Sequence, residues 1–304
     1  MSLYKKYRPQ TLEQIKGNAE IVTVLDGMLN DLSKCPSAFL FYGESGCGKT
    51  TLGRIVASRL NSKGTDFREV DSADYRGIDT IRDIRKHSQF MPSESDNRVW
   101  LIDECHKMTG DAQNALLKIL EDTPPHVYFI LCTTEPQKLI TTIKGRCSQF
   151  QVVPLNDSQM QGLLRHVVRS EEETLEKTIY SQIITNSKGH PRNALQILEQ
   201  VLHAPEEERM ETAKRAEAEV IQSIELCRAL LRNAEWKEIS SILTGMKDQE
   251  AEGIRRVVLG YCQAVLIKSD NQLCGLILEE FLSPFYDSGF PQLVYACYSV
   301  NKNK

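Results

Sequence analysis

A chain of 304 residues is long enough for two or three domains, and 26% charged with 41% hydrophobic residues is the composition of a soluble globular protein. The formal net charge of -4 gives no support for nucleic-acid binding by the chain as a whole, so such binding requires a local basic face. Residues 1–9 lack the apolar core of a signal peptide, and the apolar run at 257–267 is too short for a bilayer, so we expect a cytoplasmic protein without a membrane span. The nine cysteines are scattered, which argues against a zinc site and for reduced thiols.

The first predicted element is a helix from about residue 12 to residue 32, preceded by a basic and aromatic lead-in at 4–9. Such a lead-in can stack on a base or cover a nucleotide. A solvated N-terminal arm is an equally good interpretation of this stretch when it is taken alone.

The strongest motif comes next, because residues 43–50 read G-x-x-x-x-G-K-T, the phosphate-binding loop pattern. The motif lies between a strand-like apolar run at 37–42 and a stretch with helical spacing at 51–60. Glycines let successive backbone N–H groups turn toward one phosphate cluster at a helix N-terminus. Lys49 would then place its charge on the β- and γ-phosphates, and the Thr50 hydroxyl can hold Mg²⁺. A chance glycine-rich turn would not explain this context on both sides.

Residues 65–71 are predicted to form a second strand, and a helix is predicted to open within 72–79 with isoleucines along one face. The N-terminus of this helix could bind a phosphate of a nucleic acid, with Arg76 adding charge. An ordinary capped surface helix is the interpretation that this stretch alone favours.

A third predicted strand, at 98–104, ends in Asp103 and Glu104. An acidic pair at a strand end is common surface chemistry on its own. Because a phosphate-binding loop lies upstream, the pair predicts the second half of a P-loop ATPase site. Asp103 would act on the Mg²⁺ shell, and Glu104 would polarise the attacking water. A helix capped near Thr109 follows and ends before Pro124.

A fourth buried strand is predicted at 126–132, with Thr134 just beyond its tip. A hydroxyl at that position can hydrogen-bond the γ-phosphate or the water, and a cap of the next turn is equally compatible with the stretch alone. Gly145 and Arg146 precede a fifth predicted strand that ends at Val153. Apolar strands that alternate with helices predict an α/β fold with a parallel sheet, whose ligands bind at the carboxyl ends of the strands.

Beyond Pro154 the pattern is helical, and no strand is predicted. A helix capped at Asn156 and a second helix at 193–202 precede a linker-like stretch at 203–208. The final part shows no catalytic motif and predicts a helical packing or oligomerisation domain. Its amphipathic helices are predicted at 213–231, 236–246, 250–267 and 273–285.

These motifs, in this order and spacing, resemble the clamp-loader ATPases of the AAA+ superfamily. The resemblance is to both the small subunits of replication factor C and the bacterial DNA polymerase III gamma/tau subunit, and it is strong over residues 4–205. The stretches that carry it are 7–12, 43–50, 76–79, 103–109, 114–121, 133–139 and 145–147.

The resemblance implies a P-loop AAA+ fold, with a parallel five-stranded sheet and helices on both faces at 1–153, a small helical lid at 154–205 and an all-α collar at 206–304. It implies ATP and Mg²⁺ as ligands. The implied partners are a sliding clamp, primer–template DNA and other loader subunits in a ring of about five, built from identical chains or completed by a distinct subunit. The replicative polymerase is implied as an indirect partner, and the implied location is the replisome in the cytoplasm, or the host cytoplasm if the chain is phage-encoded.

The resemblance also assigns the nucleotide site. Thr50 and Asp103 would hold Mg²⁺, and Arg192 on the lid matches the second sensor of the γ-phosphate. Arg8 and Pro9 lie where the family covers the adenine. The remaining nucleotide contacts would come from the loop and the residue after it, namely Gly43, Glu44, Ser45, Gly46, Cys47, Gly48, Lys49, Thr50 and Thr51.

Further roles follow from the same resemblance. The catalytic groups would be Lys49, Glu104, the sensor Thr134, and Arg146 as an arginine finger that reaches the ATP of a neighbouring subunit. The helix that ends near residues 90–91 would dock on the clamp. The template backbone would be tracked by Arg76, Gly77 and Ile78.

The chain departs from the family pattern in three ways. Gly145 replaces the serine that usually precedes the finger arginine, so we expect a looser finger loop. The four-cysteine zinc module of the bacterial gamma/tau subunit does not appear between Leu60 and Val70. The sequence also stops at 304 without the long tail that tethers polymerase and helicase, so we expect a minimal loader ATPase from a compact replication system such as a phage.

Three alternatives remain open at this point. Residues 103–106 match the D-E-x-H box of helicases, but that interpretation needs a second recombinase-like domain where the pattern is helical. A nucleotide-binding subunit that does not hydrolyse would be signalled by loss of Lys49, Glu104 or Arg146, and all three are present. A helicase loader or another AAA+ remodeller fits the stretches at 76–79 and 133–138 less well.

Overall fold

The computed structural model describes residues 2–72, 75–268, 271–285 and 288–302. The chain divides into two compact units, Met1–His203 and Ala204–Lys304. The first unit contains a sheet flanked by helices, and the described part of the second unit is helical.

Five parallel strands form the sheet of the first unit, in the order β2-β3-β4-β1-β5. The central strand β4 is buried along its whole length, which suits its β-branched and aromatic residues. The predicted α/β fold with a five-stranded parallel sheet is therefore confirmed. The strands are β1 (Ala38–Tyr42), β2 (Phe67–Asp71), β3 (Arg98–Asp103), β4 (Val127–Thr133) and β5 (Ser148–Gln151).

Helices cover both faces of this sheet, as predicted. Leu25 and Ile55 belong to the apolar core on one face, and Ile84 and Leu116 belong to the core on the other face. The helices of this unit are α1 (Leu3–Lys6), α2 (Ala19–Asn30), α3 (Lys49–Arg59), α4 (Ile78–Ser88), α5 (Gly110–Glu121), α6 (Thr141–Gly145), α7 (Asp157–Ser170), α8 (Lys177–Ser187) and α9 (Pro191–His203).

The prediction of one helix over 12–32 is wrong. A short 3₁₀ turn at Leu12–Gln14 is separated from α2 by Gly17 and Asn18, which both have positive φ. A Cβ on Gly17 would lie 2.5 Å from a methyl of Leu155, so the backbone passes too close for a side chain. Asn18 forms two hydrogen bonds with the backbone of Val153, at 3.1 and 3.0 Å. These tertiary contacts hold the chain in a bend that its local sequence does not reveal.

The helical part of the first unit begins where Asn156 caps α7. The Asn156 side chain accepts from the Gln159 backbone, and the Gln159 side chain accepts from the Asn156 backbone in return. The preceding residue, Leu155, donates its N–H to the carbonyl of Gly189 at 2.8 Å. This bond ties the end of the sheet region to the turn that enters α9, and so places α9 beside the phosphate-binding loop.

The second unit is built, over its described residues, from the helices α10 to α14. The four predicted helices are present, and the sequence pattern missed the last one. Its buried residues include Leu293, Cys297 and Val300. The helices are α10 (Arg209–Leu231), α11 (Trp236–Gly245), α12 (Ala251–Lys268), α13 (Gln272–Phe281) and α14 (Gly289–Lys302).

Two negative findings concern the described residues alone. No helix there is both long enough and apolar enough to cross a bilayer. No group of three or more histidine, cysteine or acidic side chains there is arranged to hold a metal ion.

One buried ion pair fixes the loop between α4 and β3. The Asp66 side chain is fully buried, and its carboxylate accepts from the backbone N–H groups of Ser93 and Glu94 and from the guanidinium of Arg98 at 2.9 Å. Burial raises the pKa of Asp66, but the hydrogen bonds and the charge of Arg98 outweigh it and lower the pKa on balance. The ionised carboxylate is therefore the form that the fold requires.

We expect Asp66→Asn to lower the free energy of unfolding of the first unit by about 3 kcal/mol, because it leaves the Arg98 charge without its partner. Trp100 fluorescence in a Trp236→Phe background would report urea unfolding of this unit. Since the folded pKa is lowered, the contribution of Asp66 is present above its unfolded pKa and is lost as the pH falls through the folded value. The difference between variant and parent should therefore shrink below about pH 4.

The matched control is Asp79→Asn, which removes an exposed ion pair with Arg82. This change should cost under about 1 kcal/mol. Equal losses from the two variants would contradict a structural role specific to Asp66.

Candidate functional site

The phosphate-binding loop connects β1 to α3 and depends on its glycines. Gly43 donates its N–H to the carbonyl of Thr133 at 3.2 Å, and its φ is +146°. A Cβ on Gly43 would lie 2.1 Å from the carbonyl oxygen of Val152, so only glycine fits between the two neighbouring strands. Gly46 and Gly48 also have positive φ, and Gly48 is the N-cap of α3. The loop therefore wraps the N-terminus of α3, as the motif predicts.

Lys49 is buried inside this loop. Its ammonium group donates to the carbonyl of Gly43 at 2.9 Å and to the carbonyl of Glu44 at 2.8 Å. Its charge therefore lies on the inner side of the loop, close to the positive end of α3. A buried ammonium and a helix N-terminus together favour a bound anion. Glu44 and Ser45 form the exposed crest of the loop.

Thr50 and Asp103 meet across the sheet edge. The Thr50 hydroxyl donates to one carboxylate oxygen of Asp103 at 2.7 Å, and the other oxygen accepts from the N–H of Glu104 at 2.9 Å. A hydroxyl and a carboxylate are oxygen ligands of the kind that Mg²⁺ binds, usually together with substrate phosphates. The residues present therefore fit a Mg²⁺ ion.

Glu104 does not continue β3, contrary to the predicted strand over 98–104. Its backbone turns into the left-handed region with φ of 48°, and a 3₁₀ turn at Cys105–Lys107 follows. This turn points the Glu104 side chain toward the end of β4, where the Thr134 hydroxyl donates to its Oε2 at 3.2 Å. Non-glycine residues with positive φ are uncommon and cluster at functional sites.

His106 is a member of this cluster that the sequence analysis did not assign to the ATPase site. Its side chain is only 6% exposed, and it lies between Glu104 and Glu135. Burial lowers the pKa of His106, and it outweighs the two carboxylates, which act to raise it. The D-E-x-H spacing was the available signal, but it was weighed only as a helicase motif.

A cavity of about 470 Å³ opens beside the loop. It is lined by residues of four segments of the chain: the N-terminal segment up to Asn18, the loop with the start of α3, the stretch from Leu155 into α7, and the start of α9. The predicted nucleotide contacts that line it are Arg8, Pro9, Gly46, Cys47, Gly48, Thr51 and Arg192. A volume of this size suits a small-molecule ligand.

Polar contacts join the loop to the helical part above it. The Cys47 thiol lies 3.3 Å from Nδ1 of His190, and Nε2 of the same ring lies 3.2 Å from Glu44. Burial raises the pKa of the Cys47 thiol, which keeps it protonated. At the far side, Lys6 pairs with Glu171 at 2.7 Å, and the Tyr7 hydroxyl donates to the same carboxylate. These contacts join the loop to the turn before α9 on one side of the cavity, and the N-terminal arm to the end of α7 on the other side.

Arg146 is placed apart from this cavity. It follows α6, is exposed, and donates to the carboxylate of Glu121 and to the carbonyl of Thr142 at 3.1 Å. Among the described residues, no hydrogen bond or ion pair joins it to Lys49, Thr50, Asp103 or Glu104. The first unit therefore brings together the predicted Lys49, Thr50, Asp103, Glu104 and Thr134, and leaves Arg146 facing outward.

The predicted DNA residues form the start of α4. Arg76 is exposed, Gly77 is the N-cap, and Ile78 is the first helical residue. The Arg76 carbonyl accepts from the N–H of Thr109, the N-cap of α5, so the two helices begin side by side. A second cavity of about 290 Å³ lies between them, and its charged lining residues are Arg82, Arg85, Lys118 and Asp111.

Comparison with known sequences gives the following relatives. Residues 60–156 match the family of the DNA polymerase III delta subunit. Over 225 residues, 66% of this chain, the sequence is 33% identical to the DNA polymerase III gamma/tau subunit of Mycobacterium tuberculosis, of which it covers 39%. It is 35% identical to the tau subunit of Bacillus subtilis over 66% of this chain and 39% of that protein. It is 33% identical to the gamma subunit of Buchnera aphidicola over 66% of this chain and 61% of that protein. The chain thus spans less than two thirds of the length of these relatives.

Among solved structures, the Holliday junction branch migration motor RuvB of Thermotoga maritima is similar, with a TM-score of 0.61 and 17% sequence identity. The match covers 74% of this chain and 79% of that chain. A variant form of the same protein gives a TM-score of 0.61 at 16% identity, with the same coverage of both chains. At this level of identity the likeness shows the fold and carries no statement about substrate.

The glycine before Arg146 is not required by the fold. Gly145 has no neighbouring atom within 4 Å of the position of a Cβ, and it is the last residue of α6. We expect Gly145→Ser to leave the thermal midpoint of the first unit unchanged or to raise it slightly, because serine has the higher helix propensity by about 0.5 kcal/mol. The matched control is Gly43→Ala, which should lower that midpoint because of its backbone clash. A clear loss of stability in Gly145→Ser would show that the loop depends on glycine after all.

Proposed function

We propose that this chain, a relative of the AAA+ clamp-loader subunits represented by DNA polymerase III gamma/tau, hydrolyses ATP to open a sliding clamp and load it onto primer–template DNA. The observation that carries the proposal is the assembly of Lys49, Thr50, Asp103, Glu104 and Thr134 at one edge of the sheet. The arrangement supplies a phosphate cradle, oxygen ligands, a carboxylate for water and a hydroxyl beside it. These are the groups that phosphoryl transfer to water requires.

Each group has a defined task in the proposed reaction. The loop N–H groups and Lys49 bind the β- and γ-phosphates, and Thr50 with Asp103 would hold Mg²⁺, which would neutralise charge on the phosphates when bound. Glu104 orients and polarises the attacking water. Thr134 donates to Glu104 and would also contact the γ-phosphate or the water. Hydrolysis then converts the bound triphosphate to the diphosphate and free phosphate.

The adenosine part of ATP would occupy the cavity of about 470 Å³. Arg8 and Pro9 line it from the N-terminal arm, and Arg192 lines it from the start of α9. The turn before α9 contacts the loop, because His190 lies against Cys47. A shift of the loop on hydrolysis of the γ-phosphate would therefore be transmitted to α7, α8 and α9. We propose that α7 to α9 act as the lid of the ATPase domain and that α10 to α14 act as a collar that holds the ring together.

Arg146 would complete the site of a neighbouring subunit. In its own chain it is exposed and contacts Thr142 and Glu121 rather than the loop, as expected for a finger that acts in trans. Its guanidinium would stabilise charge that develops on the transferred phosphoryl group, a contribution of about 10³–10⁵ in rate. The pair with Glu121 holds the side chain on the surface until a partner binds.

DNA would follow the exposed start of α4. Arg76 supplies charge, and Gly77 offers no side chain to cap the N–H groups of the helix N-terminus. These contacts would be made to the phosphate backbone, so DNA binding should depend on salt concentration and not on base sequence.

The opposite end of α4 leads to Phe90 and Met91, which are 59% and 71% exposed. We propose this apolar pair as the clamp-docking point, since exposed apolar side chains next to each other mark protein interaction sites.

The proposed function predicts how the purified chain hydrolyses ATP. ATP hydrolysis should be stimulated by primer–template DNA together with the sliding clamp encoded in the same genome. Lys49→Ala should lower kcat/KM about 100-fold, because it removes a charged contact to phosphate. Arg76→Ala should raise the DNA concentration that gives half-maximal stimulation, whereas Lys177→Ala, on the surface of α8, should not.

Two outcomes of this experiment would oppose the proposal. Stimulation by other nucleic-acid structures but not by the clamp would favour a different AAA+ remodeller, such as a helicase loader. ATP binding without hydrolysis under every condition would favour a structural subunit of the ring.

A further prediction concerns the sharing of sites between subunits. Lys49→Ala and Arg146→Ala should each be nearly inactive alone, the latter by about 10³-fold. A 1:1 mixture of the two should recover about one quarter of wild-type activity, because random assembly pairs an intact loop with an intact finger at one interface in four. An inactive mixture of variants that still assemble would show that Arg146 acts on its own nucleotide or not at all.

A further inference from the structure

His106 has no task in the ATPase scheme above, although its side chain is only 6% exposed beside the candidate site. It belongs to the turn that follows β3, and its ring contacts the end of β4. A polar group buried in this way requires a hydrogen-bond partner. Any part that His106 takes in turnover rests on the proposed ATPase function.

One hydrogen bond decides which ring nitrogen carries the proton. Nδ1 lies 3.0 Å from the hydroxyl oxygen of Thr133, a residue with no exposed surface. That oxygen already accepts from the N–H of Glu135 at 3.0 Å. Among the contacts of the described residues, Nδ1 is the one acceptor within reach of the hydroxyl proton. The Thr133 hydroxyl therefore donates to Nδ1.

The remaining contacts of the ring agree with this assignment. Burial lowers the pKa of His106, which favours a neutral ring with a single N–H. Because Nδ1 is the acceptor, the proton is on Nε2, which lies 3.3 Å from Oε1 of Glu135. Nδ1 also lies 3.3 Å from Oε2 of Glu104, but it has no proton to donate there.

The hydroxyl that His106 orients also shapes the turn after β4. The hydrogen bond from the N–H of Glu135 to the Thr133 hydroxyl spans Thr134. A threonine hydroxyl bonded to the backbone two residues on forms a small local turn. The hydroxyl of Thr134 in turn donates to Oε2 of Glu104 at 3.2 Å. The orientation of one buried hydroxyl thus sets the position of the next threonine relative to Glu104.

The strand itself is held without His106. The carbonyl of Thr133 accepts from the N–H of Gly43 at 3.2 Å, and β4 pairs with β1 and β3. Loss of the imidazole would leave these bonds in place but would leave the proton of a buried hydroxyl without an acceptor. The Thr133 side chain would then reorient, and its bond to the N–H of Glu135 would weaken.

We propose that His106 is a positioning residue for Thr134. Its Nδ1 accepts from the Thr133 hydroxyl, and the hydroxyl oriented in this way holds the turn that presents Thr134 to Glu104. Groups that are already in place before the reaction raise kcat. Because none of these contacts involves the phosphate-binding loop, the effect should appear in kcat and not in the KM for ATP.

Two variants separate the acceptor from the rest of the ring. The side-chain oxygen of an asparagine can take the place of Nδ1, because both atoms are bonded to Cγ. A glutamine amide reaches the position of Nε2 instead and leaves the Thr133 hydroxyl without its acceptor. His203→Gln is the matched control, because His203 is an exposed histidine at the end of α9.

We expect His106→Gln to lower kcat about tenfold with KM within about twofold, and His106→Asn to stay within about threefold of wild type. His203→Gln should behave as wild type. Equal losses in the two His106 variants, or a loss that appears in KM, would overturn the proposal. Thermal midpoints measured on the same samples exclude a variant that has simply unfolded.

A double variant tests whether His106 acts through Thr134. Thr134→Val removes the hydroxyl that is being positioned, so adding His106→Gln in that background should lower kcat by less than about twofold further. A second tenfold loss would show that His106 acts independently of Thr134, and the proposal would then be wrong.

A spectroscopic readout tests the same contact without turnover. Long-range ¹⁵N–¹H spectra of histidine-labelled protein distinguish the Nδ1–H and Nε2–H tautomers, and the His106 signal is the one lost in His106→Gln. We expect the Nε2–H tautomer, with a signal that moves in Thr133→Val and stays in place in Asp111→Asn. An Nδ1–H tautomer would contradict the hydrogen bond on which the proposal depends.

These experiments keep the role of His106 distinct from the proposed function. If wild type hydrolyses ATP but the tautomer is Nδ1–H or the two losses add, only the role of His106 fails. If the tautomer is Nε2–H but wild type does not exceed the Lys49→Ala background with clamp and DNA, the ATPase function fails and the contact with Thr133 is structural.

Discussion

The carboxyl edge of a parallel sheet buried on both faces is the constraint on which the candidate site depends. Strands β3, β4 and β1 are adjacent, so their carboxyl ends deliver Asp103, Thr133 and the phosphate-binding loop to one line. Strands that are buried on both faces consist mainly of apolar residues, so the polar side chains lie where the strands end, and ligands bind at the carboxyl ends. The hydrogen bond from Thr50 to Asp103 joins two of these ends and fixes the distance between the phosphate-binding loop and the carboxylate.

Around that edge the backbone has little freedom. Gly43 is confined between two strands, and Glu104 occupies a left-handed turn that redirects its side chain toward β4. Such positions cost free energy locally and persist only when their surroundings hold them. The surroundings here include the hydrogen bond from the Glu104 N–H to Asp103 and the one from the Thr134 hydroxyl to the Glu104 side chain, so Glu104 is held by two neighbours within the candidate site.

Much of the first unit could be predicted because its signals are local. The alternation of apolar strands with helices indicated the α/β fold, and the eight residues of the loop indicated the phosphate site with its lysine and threonine. Asn156 was readable as a helix cap for the same reason. The bend at Gly17 and Asn18 could not be predicted, since its partners, Leu155 and Val153, lie more than a hundred residues away. The helix α14 was missed because its apolar face is seen only against the other helices of its unit.

The sequence alone therefore determined which groups the candidate site contains. The loop glycines, Lys49 and Thr50 follow from one local motif, whereas the acidic pair and Thr134 became candidates because they follow that motif in order along the chain. The tertiary structure decided how they meet. It turned Glu104 out of its strand, set His106 between two carboxylates and left Arg146 on the surface beside Glu121. These relations join residues from different strands and turns, and their distances follow from how the sheet and helices pack, which no local pattern encodes.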